Sequence, residues 1–379
     1  MSAGEVAALV GDLVAIDSVN PDLVPGAAGE AEIARFVAAW LERAGLEVRL
    51  DEALPGRPNV IGIARGSGGG RSLMLNAHMD TVGVAGMDAP FEPRVEGNRL
   101  YGRGAYDMKG SLAAIMLAGA RAAASGFRGD VVVTAVVDEE YASAGTFSIV
   151  KALRADAAIV TEPTELRVCV AHKGFQWLEI ETRGVAAHGS LPDVGVDAIA
   201  KMGPVLTGIE ELDARLRARP SHLYLGSGSV HASLIEGGRE LSSYPDRCTL
   251  SVERRTVPGE GPEVVESQLR AVLDAAREGD PDFGASMRTT MVRDPFEVSE
   301  DTEVVQVLGA CLAGITDTMP AIVGETAWMD SAITSAAGIP TVVFGPGGAG
   351  AHALEEWVDL DDAATCADVL SAAAREMCA

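Results

Sequence analysis

The chain has 379 residues, 47% of them hydrophobic and 22% charged, which is enough apolar material for two domains of ordinary size. Its formal net charge of −25 argues against binding to the phosphates of nucleic acid or to anionic membranes. No apolar run approaches the roughly 20 residues of a membrane span, and residues 1–17 carry acids but no base ahead of their apolar stretch, unlike a secretory signal.

In chain order, 5–17 and 30–45 carry apolar residues at helical spacing, the second through Ile33, Phe36, Val37, Trp40 and Leu41. The short apolar runs 59–64 and 72–77 read as buried strands, separated by a flexible turn at 66–70, and the second ends in His78. An Ala- and Leu-rich stretch, 109–124, reads as a helix. The β-branched run 130–137 reads as a strand ending in Asp138-Glu139-Glu140, and 157–161 as a strand ending in Glu162. Alternating strands and helices predict an α/β fold, a mixed sheet flanked by helices, with ligands at the carboxyl ends of the strands.

From 174 to 290 the pattern changes. Strands are expected at 175–182 and 248–254 and helices at 193–216 and 261–277, which together make a smaller α+β domain inserted into the larger one, formed by 1–173 and 291–379. A helix at 301–313, a strand at 341–344, a glycine-rich loop at 345–350 leading to His352 and a last helix at 361–377 complete the larger domain. The glycine-rich loop lacks the Gly-Lys-Ser/Thr of a phosphate-binding loop, so a nucleotide-binding reading is set aside. Five cysteines, odd in number and widely spaced, with no Cys-x-x-Cys pair, read as reduced thiols in a cytoplasmic protein.

Three strand ends thus bring His78, Glu139/Glu140 and Glu162 to one edge of a sheet. A neutral imidazole is a common zinc ligand, and Asp80, two residues past His78, is placed to hold its other ring nitrogen. Three adjacent acids at a core strand end call for an offsetting positive charge, which a metal ion supplies. Asp107, in the run Tyr101-Gly102-Arg103-Gly104-Ala105-Tyr106-Asp107-Met108-Lys109-Gly110, reads either as a helix cap or as a carboxylate that bridges two ions. With His352, the set is two histidines and three carboxylates, a count suited to two ions sharing Asp107.

In these motifs the chain resembles the M20 metallopeptidase and amidohydrolase family, which includes acetylornithine deacetylase, succinyl-diaminopimelate desuccinylase, aminoacylase and a glutamate carboxypeptidase. The resemblance rests on His78-Met79-Asp80-Thr81-Val82, Gly102-Arg103-Gly104 through Asp107-Met108-Lys109-Gly110, Asp138-Glu139-Glu140, Thr161-Glu162-Pro163, Ala187-His188 and Gly345-Pro346-Gly347 leading to His352. It implies two divalent ions, zinc first with cobalt or manganese as alternatives. Asp107 bridges them, His78 and Glu162 complete one site, and Glu140 and His352 complete the other. It further implies Glu139 as general base, Asp80 as the residue that orients His78, and a cis Asp107–Met108 peptide. The inserted domain is then a lid through which the chain forms a homodimer. Its His188 reaches the partner's active site, and Arg255 binds a substrate carboxylate, a task Arg254 could share. His172, His222 and His231 are left as structural. The implied reaction is hydrolysis of a linear amide in an N-acyl amino acid, with a dipeptidase or carboxypeptidase of the same family as the alternative. From another class, the alternative is a non-catalytic binding protein on the same scaffold.

Overall fold

The computed structural model describes residues 3–280 and 282–379. The chain forms two compact units: residues up to Val170 with Val298–Val323 and Met329–Ala379, and Ala171–Glu297 with Gly324–Trp328. The sequence draws the inserted domain at 174–290. The short segment Gly324–Trp328 joins the second unit through packing that no local pattern reveals: the Trp328 ring lies 6.2 Å from His172 and 6.3 Å from Phe175.

The first unit is built on a mixed sheet in the order Glu47–Leu54, Arg57–Ala64, Val131–Val136, Leu73–His78, Ala157–Val160, Thr341–Val343, Val168–His172. Its centre is parallel, and the two strands at the Glu47 side are antiparallel. Central strands are covered on both faces, so their sequences are continuous apolar runs. All six residues of Val131–Val136 are buried. Val132 and Val136 pack with Ile149 of helix Ala144–Ala152 on one face. On the other, Val133 meets helix Gly110–Ser125 at Gly119, so close that a Cβ there would lie 2.6 Å from a valine methyl. That helix packs on the last one, Leu360–Met377. Several elements escape the sequence pattern, among them two of the first unit. The edge strand Glu47–Leu54 buries neither face and so shows no alternation, and the helix Ala144–Ala152 is short.

Register aligns the strand ends. Asn76 pairs with Val160 and His78 with Val136. His78 and Glu162, each two residues beyond the first pair, are therefore level, and Asp138–Glu140 begins just beyond the second. A small second sheet, in the order Gly348–Ala349, Trp357–Asp359, Arg99–Tyr101, Arg94–Glu96, lies in the same unit. It makes His352 the tip of a hairpin and leads from Arg99–Tyr101 into the loop that carries Asp107.

The second unit is α+β. Its antiparallel sheet has the order Ser229–Gly237, Arg247–Thr256, Gly174–Arg183, Gly284–Arg293. Alternate residues Leu178, Ile180, Leu250 and Val252 pack with Met202, Val205 and Ile209 of helix Ala198–Arg217 and with Leu269 and Val272 of helix Pro262–Glu278. The first of these helices starts later than expected because Asp197 caps it, accepting the amides of Ile199 and Ala200. Among the described residues, no helix is long and apolar enough to cross a membrane.

Candidate metal centre

His78, at the end of its strand, is 2% exposed. Its Nδ1 lies 2.9 Å from the main-chain carbonyl of Asp80. A carbonyl only accepts, so Nδ1 carries the proton there and Nε2 is the nitrogen left to face the cluster. Nε2 lies 3.1 Å from Asp107 Oδ1 and 3.9 Å from Glu162 Oε1. His352, at the hairpin tip, points its Nε2 at Glu140 Oε2, 3.0 Å away, and at Asp107 Oδ2, 3.4 Å away. The two oxygens of Asp107 therefore face different histidines. Asp107 is no helix cap: the helix that follows begins at Gly110, and the Asp107–Met108 peptide is cis. Donor atoms of His78, Glu139 and Glu162 lie within 4.8 Å of one another, as do those of His78, Asp107 and Glu140.

The structure thus brings His78, Asp107, Glu139, Glu140, Glu162 and His352 into one cluster. Burial among other acids pushes Glu162 up to about 8 and raises Glu139 well above the usual carboxylate range, with Glu162 the main neighbour. Burial also raises Glu140. Burial alone would raise Asp107 too, but its two imidazole partners outweigh it and hold the carboxyl below its ordinary value. Hydrogen bonds to Asp107 and Glu140 push His352 up to about 10. Among the described residues, no lysine or arginine pairs with any of these four acids, and the buried Oε1 of Glu140 has no hydrogen-bond partner. An unpaired buried carboxylate oxygen is costly. Imidazole nitrogens and carboxylate oxygens gathered this way, with one acceptor open, fit divalent cations.

Asp80 differs from its expected use. Its carboxylate Oδ1 is 3.7 Å from His78 Nδ1, beyond a hydrogen bond. The carboxylate instead accepts the amides of Glu139 and Glu140, each at 3.1 Å, and Asn20 Nδ2 at 2.8 Å. The main chain of Asp80 holds the histidine, and its side chain holds the acidic turn. Sequence reasoning passed over the support behind that turn. Asn20 also donates to Asp138 at 3.1 Å, Arg57 donates to Asp138 at 3.1 Å, and the two oxygens of Glu30 take Arg57 at 2.6 and 2.7 Å. Asp138 has a φ of +68°, which turns the chain so that Glu139 and Glu140 follow the strand end.

In the second unit, His188 is an exposed loop residue whose Nδ1 lies 2.8 Å from Ser190 Oγ. Arg255 lies on the sheet face opposite the helices, its Nε donating to Glu253 at 2.7 Å and its guanidinium 5.1 Å from the centre of the Phe175 ring. Arg254 points the other way and is fully buried, held by Glu260 at 2.8 Å and Gln268 at 3.2 Å, so it has no free fork to share with Arg255. Strand alternation separates the two. His172 is buried in the aromatic cluster, and His222 pairs with Glu297 at 3.0 Å. His231 lies on the strand Ser229–Gly237, opposite Glu253.

The sequence matches the model of peptidase family M20/M25/M40 over residues 74–376. The chain belongs to this family. This M20 member is 31% identical to an acetylornithine deacetylase of Myxococcus xanthus, over 90% of this chain and 91% of that protein. It is 30% identical to an N-formyl-4-amino-5-aminomethyl-2-methylpyrimidine deformylase of Halalkalibacterium halodurans, over 94% of this chain and 90% of that protein. Its fold matches the aminopeptidase PepT of Bacillus cereus, with a TM-score of 0.81 at 18% identity over 100% of this chain and 99% of the other. It also matches the YXEP protein of Bacillus subtilis, described as a dinuclear metal binding peptidase of the M20 family, with a TM-score of 0.78 at 16% identity over 99% and 98%. The M20 membership expected from the motifs holds, as does the mixed α/β architecture, and the protein is a metal-dependent hydrolase.

Proposed function

We propose that the cluster holds two divalent ions, zinc before cobalt or manganese, and that the enzyme hydrolyses the amide of a small N-acyl amino acid. The observation that carries this is the placement of Asp107, one carboxylate oxygen toward His78 and the other toward His352. His78 and Glu162 would complete one ion's ligands, and Glu140 and His352 the other's. When bound, such a pair of cations polarises an amide carbonyl and makes water more acidic.

The chain's own residues do the rest. Glu139, whose donor atoms lie with those of His78 and Glu162, takes a proton from water and passes it to the departing amine. His188 gives an N–H to the carbonyl oxygen as that oxygen gains charge, acting across a homodimer formed through the second unit. Arg255 holds the free carboxylate of the substrate with its guanidinium fork. Two of the relatives are named for removing an acetyl or a formyl group from an amine, which supports a deacylase before a dipeptidase or carboxypeptidase. Five cysteines without a disulfide suit the reducing cytoplasm, the compartment this reading implies.

The test is turnover by the metal-loaded enzyme on N-acetyl, N-formyl, N-succinyl and N-carbamoyl amino acids and on dipeptides. The expected result is preferred cleavage of a short acyl group, with Arg255→Ala raising KM by roughly tenfold and changing kcat little. Exclusive cleavage of dipeptides would overturn the deacylase reading. Two bound ions with no turnover anywhere in the panel would favour a binding protein.

A further inference from the structure

Glu356 stands four residues after His352 and is 1% exposed. Its Oε1 accepts the amides of Tyr106 and Asp107, both at 3.0 Å. Its Oε2 accepts the Gly104 amide at 2.9 Å and Arg103 Nη1 at 2.7 Å. Its main-chain carbonyl takes the Gly102 amide at 3.1 Å. Arg103 is itself buried, and its Nη2 holds the carbonyl of Ala353, next to His352, at 2.8 Å.

The segment gathered by this carboxylate closes only single turns of its own, Ala105 N–H to the Gly102 carbonyl and Lys109 N–H to that of Gly104, while the amides of Gly104, Tyr106 and Asp107 go to Glu356. It passes through Gly104 at a φ of +77°, where a Cβ would lie 2.6 Å from a Thr81 methyl, and its amides need partners from elsewhere. A buried ion pair is weak evidence of a purely stabilising role, since apolar groups of the same size often serve as well. An apolar pair, however, could not orient three amides of one loop and tie them to the neighbour of His352.

We infer that Glu356, together with Arg103, is a positioning residue for the centre: it fixes the Asp107 carboxylate relative to His352. This rests on the reading of Asp107 and His352 as metal ligands. Loss of Glu356 then falls hardest on the ion that depends on both loops, the one bound by Asp107, Glu140 and His352.

The experiment is a zinc titration of the metal-free full-length protein against a chromophoric chelator, with the visible spectrum of the cobalt-loaded protein and the metal-free melting midpoint recorded alongside. Glu356→Gln is expected to weaken the second zinc by about tenfold or more, to leave the first within about threefold, and to alter the cobalt spectrum. Glu260→Gln is the control. It removes a carboxylate that pairs with buried Arg254 in the second unit, and both zinc affinities should stay at wild type whatever the melting midpoint does. Wild-type affinities and spectrum in Glu356→Gln would overturn the inference. If that variant does not fold, Arg103→Gln carries the test, since it keeps the three amide bonds and loses the tether to Ala353. A second zinc weakened about threefold or more supports the inference, and an unchanged one overturns it. Fewer than two zinc ions on the wild type would overturn the two-ion reading and this inference with it. Two ions on the wild type, with unchanged variants, would overturn this inference alone.

Discussion

The two histidines of the centre are held in opposite ways. His78 ends a buried central strand, is 2% exposed, and is fixed by a main-chain carbonyl two residues on. His352 rides the tip of a hairpin with a φ of +62°, and its side chain is 55% exposed. One half of the centre is therefore set by the sheet, whose register leaves little freedom, and the other by loops that must be tied down from outside. The comparison teaches that one cluster of ligating side chains can join a half fixed by folding to a half fixed by specific hydrogen bonds. The halves should respond differently to substitution.

The largest effect is expected on the sheet-bound side. Glu139→Ala should lower kcat by roughly 10³-fold while metal content by elemental analysis stays at wild type. Normal turnover in that variant would remove Glu139 as the base. Next is Asp80→Asn, which keeps the main-chain carbonyl for His78 but gives the acidic turn a poorer acceptor. Expected are a fall in kcat of roughly tenfold to a hundredfold and a first-ion affinity within a few-fold of wild type. Loss of the first ion instead would show that the side chain of Asp80, not its carbonyl, orients the imidazole. The smallest effect is on stability without metal. His78→Ala should cost about 2 kcal/mol in urea melts with chelator present, and the half-exposed His352→Ala clearly less. Equal losses would remove the distinction between the halves.

The same division explains what could be read from the sequence. The strands before His78, Glu140 and Glu162 are short and largely apolar, the second of them rich in β-branched residues, and a polar residue at or just past each strand end marks the sheet edge. Asp107 and His352 lie outside the strands, where each residue alone reads more readily as a helix cap or a surface histidine; only the count of the whole ligand set, and then the family resemblance, joined them to the centre. Asn20 and Asp80 are 60 positions apart, and Arg103 and Glu356 are 253 apart, so no local spacing announces either pair. The use Asp80 makes of its main chain could not be read from a side chain's identity. The availability of Arg254 failed for a simpler reason: neighbours on a strand face opposite ways, and the pattern of burial along Arg247–Thr256 sends Arg254 inward.

The shared carboxylate of Asp107 can be tested directly by electron paramagnetic resonance of the manganese(II)-loaded protein. Two ions joined by one carboxylate should give a spin-coupled spectrum at two manganese per chain, and Asp107→Asn should reduce it to the spectrum of isolated ions. Two uncoupled ions in the wild type, or a single one at saturation, would contradict the shared site.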